Sequence, residues 1–212
     1  SSPDHVSTFD ALFAKLGQEI EAHHHVRKEW LAQARERGID VELLTEARAL
    51  LTRLADEADF VLCTCSTLGP IAESLKLENV VRVDAPMMER AVANGGQVLL
   101  VLCLESTKDA SRNLLLRCFE DAGRVPEYRM LMVPEAWPAY EAGDIDAFIG
   151  IIVRWVSAAL SVEPGISCIV LGQASMQAAR QALTASGVTV LSSPESAVAH
   201  IAELIDTTQR LA

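Results

Sequence analysis

An α/β fold built on parallel sheets is predicted by three features of the sequence. Short apolar runs rich in β-branched residues alternate with longer amphipathic stretches, the order that places helices on both faces of a parallel sheet. The strongest runs, VLLVLCL and CIVLG, are apolar without alternation, as strands buried on both faces are. Half of the 212 residues are hydrophobic, which excludes disorder and allows a large core.

The elements follow in chain order. A helical pattern spans 9–16, and 20–26 is the weakest strand candidate. Helical patterns over 28–37 and 41–55 lead to a strand at 60–65. A short helix at 71–75 precedes a strand at 80–83. Asp84-Ala85-Pro86 then sets a capping side chain ahead of a proline near the start of a helix over 87–93, and Asp84 is expected to cap it. After a strand at 97–104, Ser106 with Asp109 three residues on opens a helix over 110–122, with an acid at its first turn. A strand at 128–133 follows, and Gly143-Asp144 opens the long helix 145–160 that carries Trp155. A strand at 166–172, a helix at 176–185 and a strand at 188–191 come next. Ser193-Pro194-Glu195 repeats the capping pattern before the last helix, 196–211. No linker rich in Gly, Pro or Ser divides the chain.

Charge narrows the partners. Lys and Arg number 18 against 29 Asp and Glu, a net charge of −11. This balance argues against nucleic acid and against an anionic membrane surface, since both need a basic face. A small anion is still compatible, because a local pocket can oppose the global field. No run of eighteen apolar residues and no basic-then-apolar leader is seen. The five cysteines (63, 65, 103, 118 and 168) form no CxxC pair. Cys63, Cys103 and Cys168 lie inside apolar runs, where the thiol is a small hydrophobe. Reduced thiols, a cytoplasmic setting and no metal site are expected.

The runs ending at Cys65 and at Gln173 are alike. Phe60-Val-Leu-Cys-Thr-Cys65-Ser-Thr and Cys168-Ile-Val-Leu-Gly-Gln173-Ala-Ser are both apolar strands that close on small polar residues, about half a chain apart. Two such strand-to-helix loops, one per half, would face each other across a cleft if the halves are related by a pseudo-twofold axis. Ligands of open parallel sheets bind beyond the carboxyl ends of strands, where both loops sit. Cys65 is the sharpest chemical candidate. It ends its apolar run beside two hydroxyls, and the following helix dipole is expected to lower its pKa. Ser66, Thr67 and nearby N–H groups suit a carboxylate.

Cys65-Ser66-Thr67, Ser106-Thr107 and Leu171-Gly172-Gln173-Ala174-Ser175, in that order, resemble the aspartate/glutamate racemase superfamily. The phrases VLCTCSTLG, RVDAPM, LESTKDASRNLL and VLGQASM extend the resemblance over nearly the whole chain. That superfamily includes glutamate, aspartate and hydantoin racemases, maleate isomerase and arylmalonate decarboxylase. The resemblance implies two similar Rossmann-like or flavodoxin-like lobes related by pseudo-twofold symmetry, with the active site in the cleft between them. Residues 1–84 with 188–212 would form one lobe and 85–187 the other. It also implies a cofactor-independent enzyme acting at the α-carbon of a small carboxylate. In the racemases one cysteine from each lobe flanks that carbon, because inversion needs proton chemistry on both faces. Cys65 matches the first cysteine and is the expected acid/base. Ser66 and Thr67 follow it as the racemases' Asn and Thr do. Ser106 and Thr107 match a carboxylate-holding loop, and Ser2 falls where the first loop's polar residues belong. Gln173, Ala174 and Ser175 complete the expected substrate-binding set.

Two departures from that pattern stand out. Gln173 occupies the place of the second cysteine, and Gln is not a base. The family's first strand would precede Ser1-Ser2-Pro3, so the sequence either starts after that strand or lacks it. Arylmalonate decarboxylase also keeps one cysteine, in the other half. Racemase, isomerase and decarboxylase chemistry all stay open, with a non-catalytic carboxylate-binding or regulatory protein as the alternative. A homodimer is the family's prior. The remaining polar and aromatic candidates read as structure: His23-His24-His25 and Glu105 as surface, Arg82 and Asp84 as an ion pair or cap, and Trp137, Tyr140 and Trp155 as packing or subunit contacts.

Overall fold

The structure, a computed structural model, describes residues 3–17 and 20–211. The first part of the chain runs α1 (Pro3–Ala14), α2 (Lys28–Arg37), α3 (Val41–Glu57), β1 (Val61–Cys63), α4 (Gly69–Ser74), β2 (Val80–Arg82) and α5 (Ala85–Asn94). It continues with β3 (Gln97–Leu102), α6 (Glu105–Asp121), β4 (Tyr128–Met132), α7 (Trp137–Glu141) and α8 (Ile145–Val162). β5 (Ile166–Leu171), α9 (Arg180–Thr184), β6 (Thr189–Ser192) and α10 (Ser193–Leu211) complete it. Six of the seven expected strands are present. Residues 20–26 are irregular instead, because no described strand offers them a ladder.

All strand pairs are parallel. β1 pairs with β2, and β4-β3-β5-β6 form a second sheet. β6, which follows position 188, pairs with β5 and so belongs to the larger sheet. The return to the first part occurs within α10, where Ala197 and Val198 pack with Phe9 of α1 and with Val83.

The unbroken apolar runs of β3 and β5 are explained by two cores. On one face Leu99, Val101, Ile169 and Leu171 meet Phe148, Ile152 and Val156 of α8. On the other, Val98, Leu100, Leu102, Cys168 and Val170 meet Met87 and Met88 of α5 and Leu115 and Phe119 of α6. Each such side chain stabilises by roughly 1.5–3 kcal/mol when fully buried. β1 is covered by α2, α3 and α4, with Val61 and Cys63 on that side, and by α1 and α10, with Leu62 on the other. α8 is long and apolar enough to cross a membrane by length and composition. Its buried stripe nevertheless serves the core, and Ile145, Trp155 and Val162 are exposed on it.

Local signals held unevenly. Asp144 caps α8 by accepting the Ala147 N–H at 3.0 Å, as expected. Asp84 does not cap α5. Its carboxylate is taken by Arg82, Nε to Oδ1 at 2.8 Å and Nη2 to Oδ2 at 3.0 Å. Ser106 does not open α6 either: the helix starts at Glu105 with Leu104 at the N-cap and no side-chain cap. The helix expected over 176–185 begins as a 3-10 turn, Ala174–Ala179, and becomes α-helical only at Arg180.

Candidate active site

Three strand ends of the two sheets converge on one cleft. Thr64, Cys65, Ser66 and Thr67 follow β1, Leu104 and Thr107 follow β3, and Gln173, Ala174 and Ser175 follow β5. The cleft is small, about 40 Å³, and open to solvent on one side. Of the expected site residues, Cys65, Ser66, Thr67, Thr107, Gln173, Ala174 and Ser175 line it. Ser106 does not. It sits one residue too early on α6, and its Oγ is buried without a hydrogen-bond partner. Ser2 lies outside the described residues.

Polar contacts across the cleft hold the two sheets together. The Ser66 hydroxyl donates to the Gly172 carbonyl at 3.1 Å, and the Thr67 and Thr107 hydroxyls meet at 3.2 Å. Gln173 Oε1 accepts from the Cys103 and Leu104 N–H groups at 2.5 and 3.1 Å. These two donors fix the amide's orientation, so its Nε2 protons are the group left to face the cleft. Gly172 makes this close approach possible. A Cβ there would collide with the Leu102 side chain and lie 3.2 Å from the Val101 carbonyl.

Cys65 is the half-buried cysteine, while the other four are buried. Burial raises its thiol above the ordinary value, opposed only in part by the N–H groups of Leu68 and Thr67 and by the Thr67 hydroxyl. The expected lowering by a helix dipole is therefore overturned. α4 spans six residues, too few for a strong dipole, and desolvation of a thiolate wins. Cys65 rests as a thiol. Cys63, two residues back, is pushed to about 12 by burial and packs in the core beside Val61.

Around the cleft the remaining candidates sort clearly. His23, His24 and His25 are exposed, and His24 Nε2 pairs with Asp10 at 2.7 Å. Glu105 is paired on the surface with Lys108 at 2.7 Å. Trp137 packs in the core as expected and also lines the cleft. Over its ring sits the Arg35 guanidinium, 5.5 Å from the centroid. Arg35 in turn bonds Glu141 at 2.6 Å, which holds that carboxyl below its usual range. Sequence reasoning missed His5 and Leu31, which close the cleft from α1 and α2. Among the described residues, no three His, Cys, Asp or Glu side chains converge on a metal site.

A charge cluster is centred on the buried pair Arg82 and Asp84. Besides Asp84, Arg82 binds Glu73 at 2.9 Å, and Glu73 also binds Arg117 of α6 at 2.6 Å. Burial alone would lower the Arg82 guanidinium, but the Asp84 and Glu73 carboxylates outweigh it.

Comparison with known proteins adds the fold. No family model matches the sequence, and no curated protein matches it. Solved structures do. The aspartate racemase of Picrophilus torridus aligns over 95% of this chain and 89% of its own, with a TM-score of 0.66 and 11% identity. The allantoin racemase of Klebsiella pneumoniae aligns over 98% and 85%, with a TM-score of 0.62 and 19% identity. A glutamate racemase of Bacillus anthracis aligns over 78% of this chain, with a TM-score of 0.59 and 12% identity. The chain spans 66% of that enzyme, just under two thirds of its length. At these identities the likeness is one of architecture, and the chain carries the two-lobed α/β fold of the aspartate, allantoin and glutamate racemases.

Proposed function

We propose that this protein is a cofactor-independent enzyme that moves a proton at the α-carbon of a small carboxylate, with Cys65 as the thiol acid/base. The observation that carries this reading is the cleft itself. One accessible thiol is ringed by Ser66, Thr67, Thr107 and Ser175 hydroxyls and by the fixed Gln173 amide. The Ser175 hydroxyl, the one proton of the Thr67–Thr107 pair not spent between them and the Gln173 amide can hold a carboxylate and stabilise the enolate formed from it, while the Ser66 proton is committed to Gly172. The fold shared with racemases supports the same class of chemistry. A thiol that rests protonated begins the cycle as an acid, so Cys65 delivers a proton to the carbanion-like carbon. Gln173 faces it as a hydrogen-bond donor without proton chemistry of its own.

The test is deuterium incorporation at Cα, followed by NMR in D2O, with aspartate, glutamate, hydantoins and substituted malonates as probes. Wild type should incorporate solvent deuterium or release carbon dioxide from at least one probe. Cys65→Ser should lose about 10²–10⁴-fold of that rate with the fold intact. Retained turnover in Cys65→Ser removes the assignment. Binding of a carboxylate without any turnover would support the second reading, a binding or regulatory protein.

A further inference from the structure

We infer that His5 is the second proton-transfer group of the cleft, the base that works with the Cys65 thiol. This rests on the functional reading above and names the partner that reading lacks. His5 and Cys65 are the two titratable side chains among the described residues lining the cleft. Gln173, facing them from β5, has its carbonyl engaged by two backbone N–H groups and exchanges no proton.

The placement of His5 is dictated by α1. His5 and Phe9 are four residues apart on that helix and so share a face. Phe9 is buried against Val83, Ala197 and Val198, which presses this face of α1 inward. One turn earlier on the same face, His5 lines the cleft.

The proton balance is complete with these two groups. The neutral imidazole takes the Cα proton, and the C–H electron pair passes into the carboxylate as an enolate. The enolate carbon then takes the S–H proton of Cys65. Imidazolium and thiolate remain, and proton transfer from the first to the second, directly or through solvent, resets the site. Burial of Cys65 supports the order, since it keeps the thiol protonated until the carbon needs it.

The experiment uses His5→Ala and His5→Gln beside the wild type, with D- and L-aspartate, D- and L-glutamate and 5-substituted hydantoins as probes. Circular dichroism and urea midpoints establish that each variant is folded. Both variants should lose about 10²–10⁴-fold of Cα exchange, and added imidazole should restore part of it in His5→Ala. A merely structural histidine gives no such rescue. Exchange within threefold of wild type in a folded variant overturns the inference. If the wild type exchanges none of the probes, the functional reading fails for them, and a second readout still decides the pairing. The rate of Cys65 alkylation by iodoacetamide is measured against pH, with the modified residue located by mass spectrometry. His5→Ala should change that profile between pH 6 and 8, whereas superimposable profiles overturn the pairing.

Discussion

Replacing Arg82 with Met tests the buried Arg82–Asp84 pair most directly. The Arg82 side chain is 4% exposed and that of Asp84 0%. Two of the three Arg82 bonds go to Asp84 and one to Glu73. Glu73 is 43% exposed and keeps Arg117, so water and a second cation absorb its loss. Asp84 has neither. The cost is that of a buried carboxylate stripped of its counter-charge, about 3–5 kcal/mol. With a urea m-value of about 2 kcal/mol/M, the unfolding midpoint should fall by roughly 2 M. Unfolding is followed by circular dichroism and by the fluorescence of the three tryptophans. The double variant Arg82→Met/Asp84→Leu removes both charges and should be more stable than Arg82→Met alone. A loss below about 1 kcal/mol in the single variant, or additive losses in the double, would refute the reasoning.

Two further outcomes follow from the same structure. Gln173→Leu leaves the Cys103 and Leu104 N–H groups without their acceptor and should cost about 2–4 kcal/mol by urea unfolding; an unchanged midpoint shows that water replaces the amide. The buried thiols of Cys63, Cys103 and Cys168 are each raised to about 12 from 9.0 by desolvation. Their contribution is intact below pH 9, and above it the unfolded chain ionises first, so stability falls by about 1.4 kcal/mol per thiol per pH unit toward pH 12. Equal urea midpoints at pH 8 and pH 10.5 would contradict this.

The sheets were legible because their strands are buried on both faces. Runs such as VLLVLCL can be satisfied only there, and they mark β3 and β5 to within two residues. The 20–26 segment, Ile-Glu-Ala-His-His-His-Val, has no such run and was the weakest candidate; a strand also requires an edge to pair with, which local pattern does not report. Cys65, Thr67 and Gln173 were legible as residues just past apolar runs, whereas Thr107 came from the resemblance and lies in the first turn of α6. The direction of the Cys65 shift was not legible, since desolvation depends on what folds over the thiol. His5 carries no motif. Its one signal is the four-residue spacing from Phe9, visible once Phe9 is known to be buried. Trp137 was legible as a packing residue, but its place in the cleft wall was not, because that depends on which strand ends meet it.

The unequal sheets set an order of assembly. β1 and β2 form a two-stranded sheet, and sheets that small are marginal without something to pack on. Their ties to the rest, Ser66 to Gly172 and Glu73 to Arg117, reach residues made much later. The helices over their open face include α10, the last element of the chain. The larger sheet, by contrast, has its helices α6 and α8 interleaved with its own strands. During synthesis the first part of the chain therefore emerges early and matures late. Its apolar strand faces wait for the later sheet to fold and for α10 to arrive, and this interval is when the protein is most open to chaperones and to aggregation.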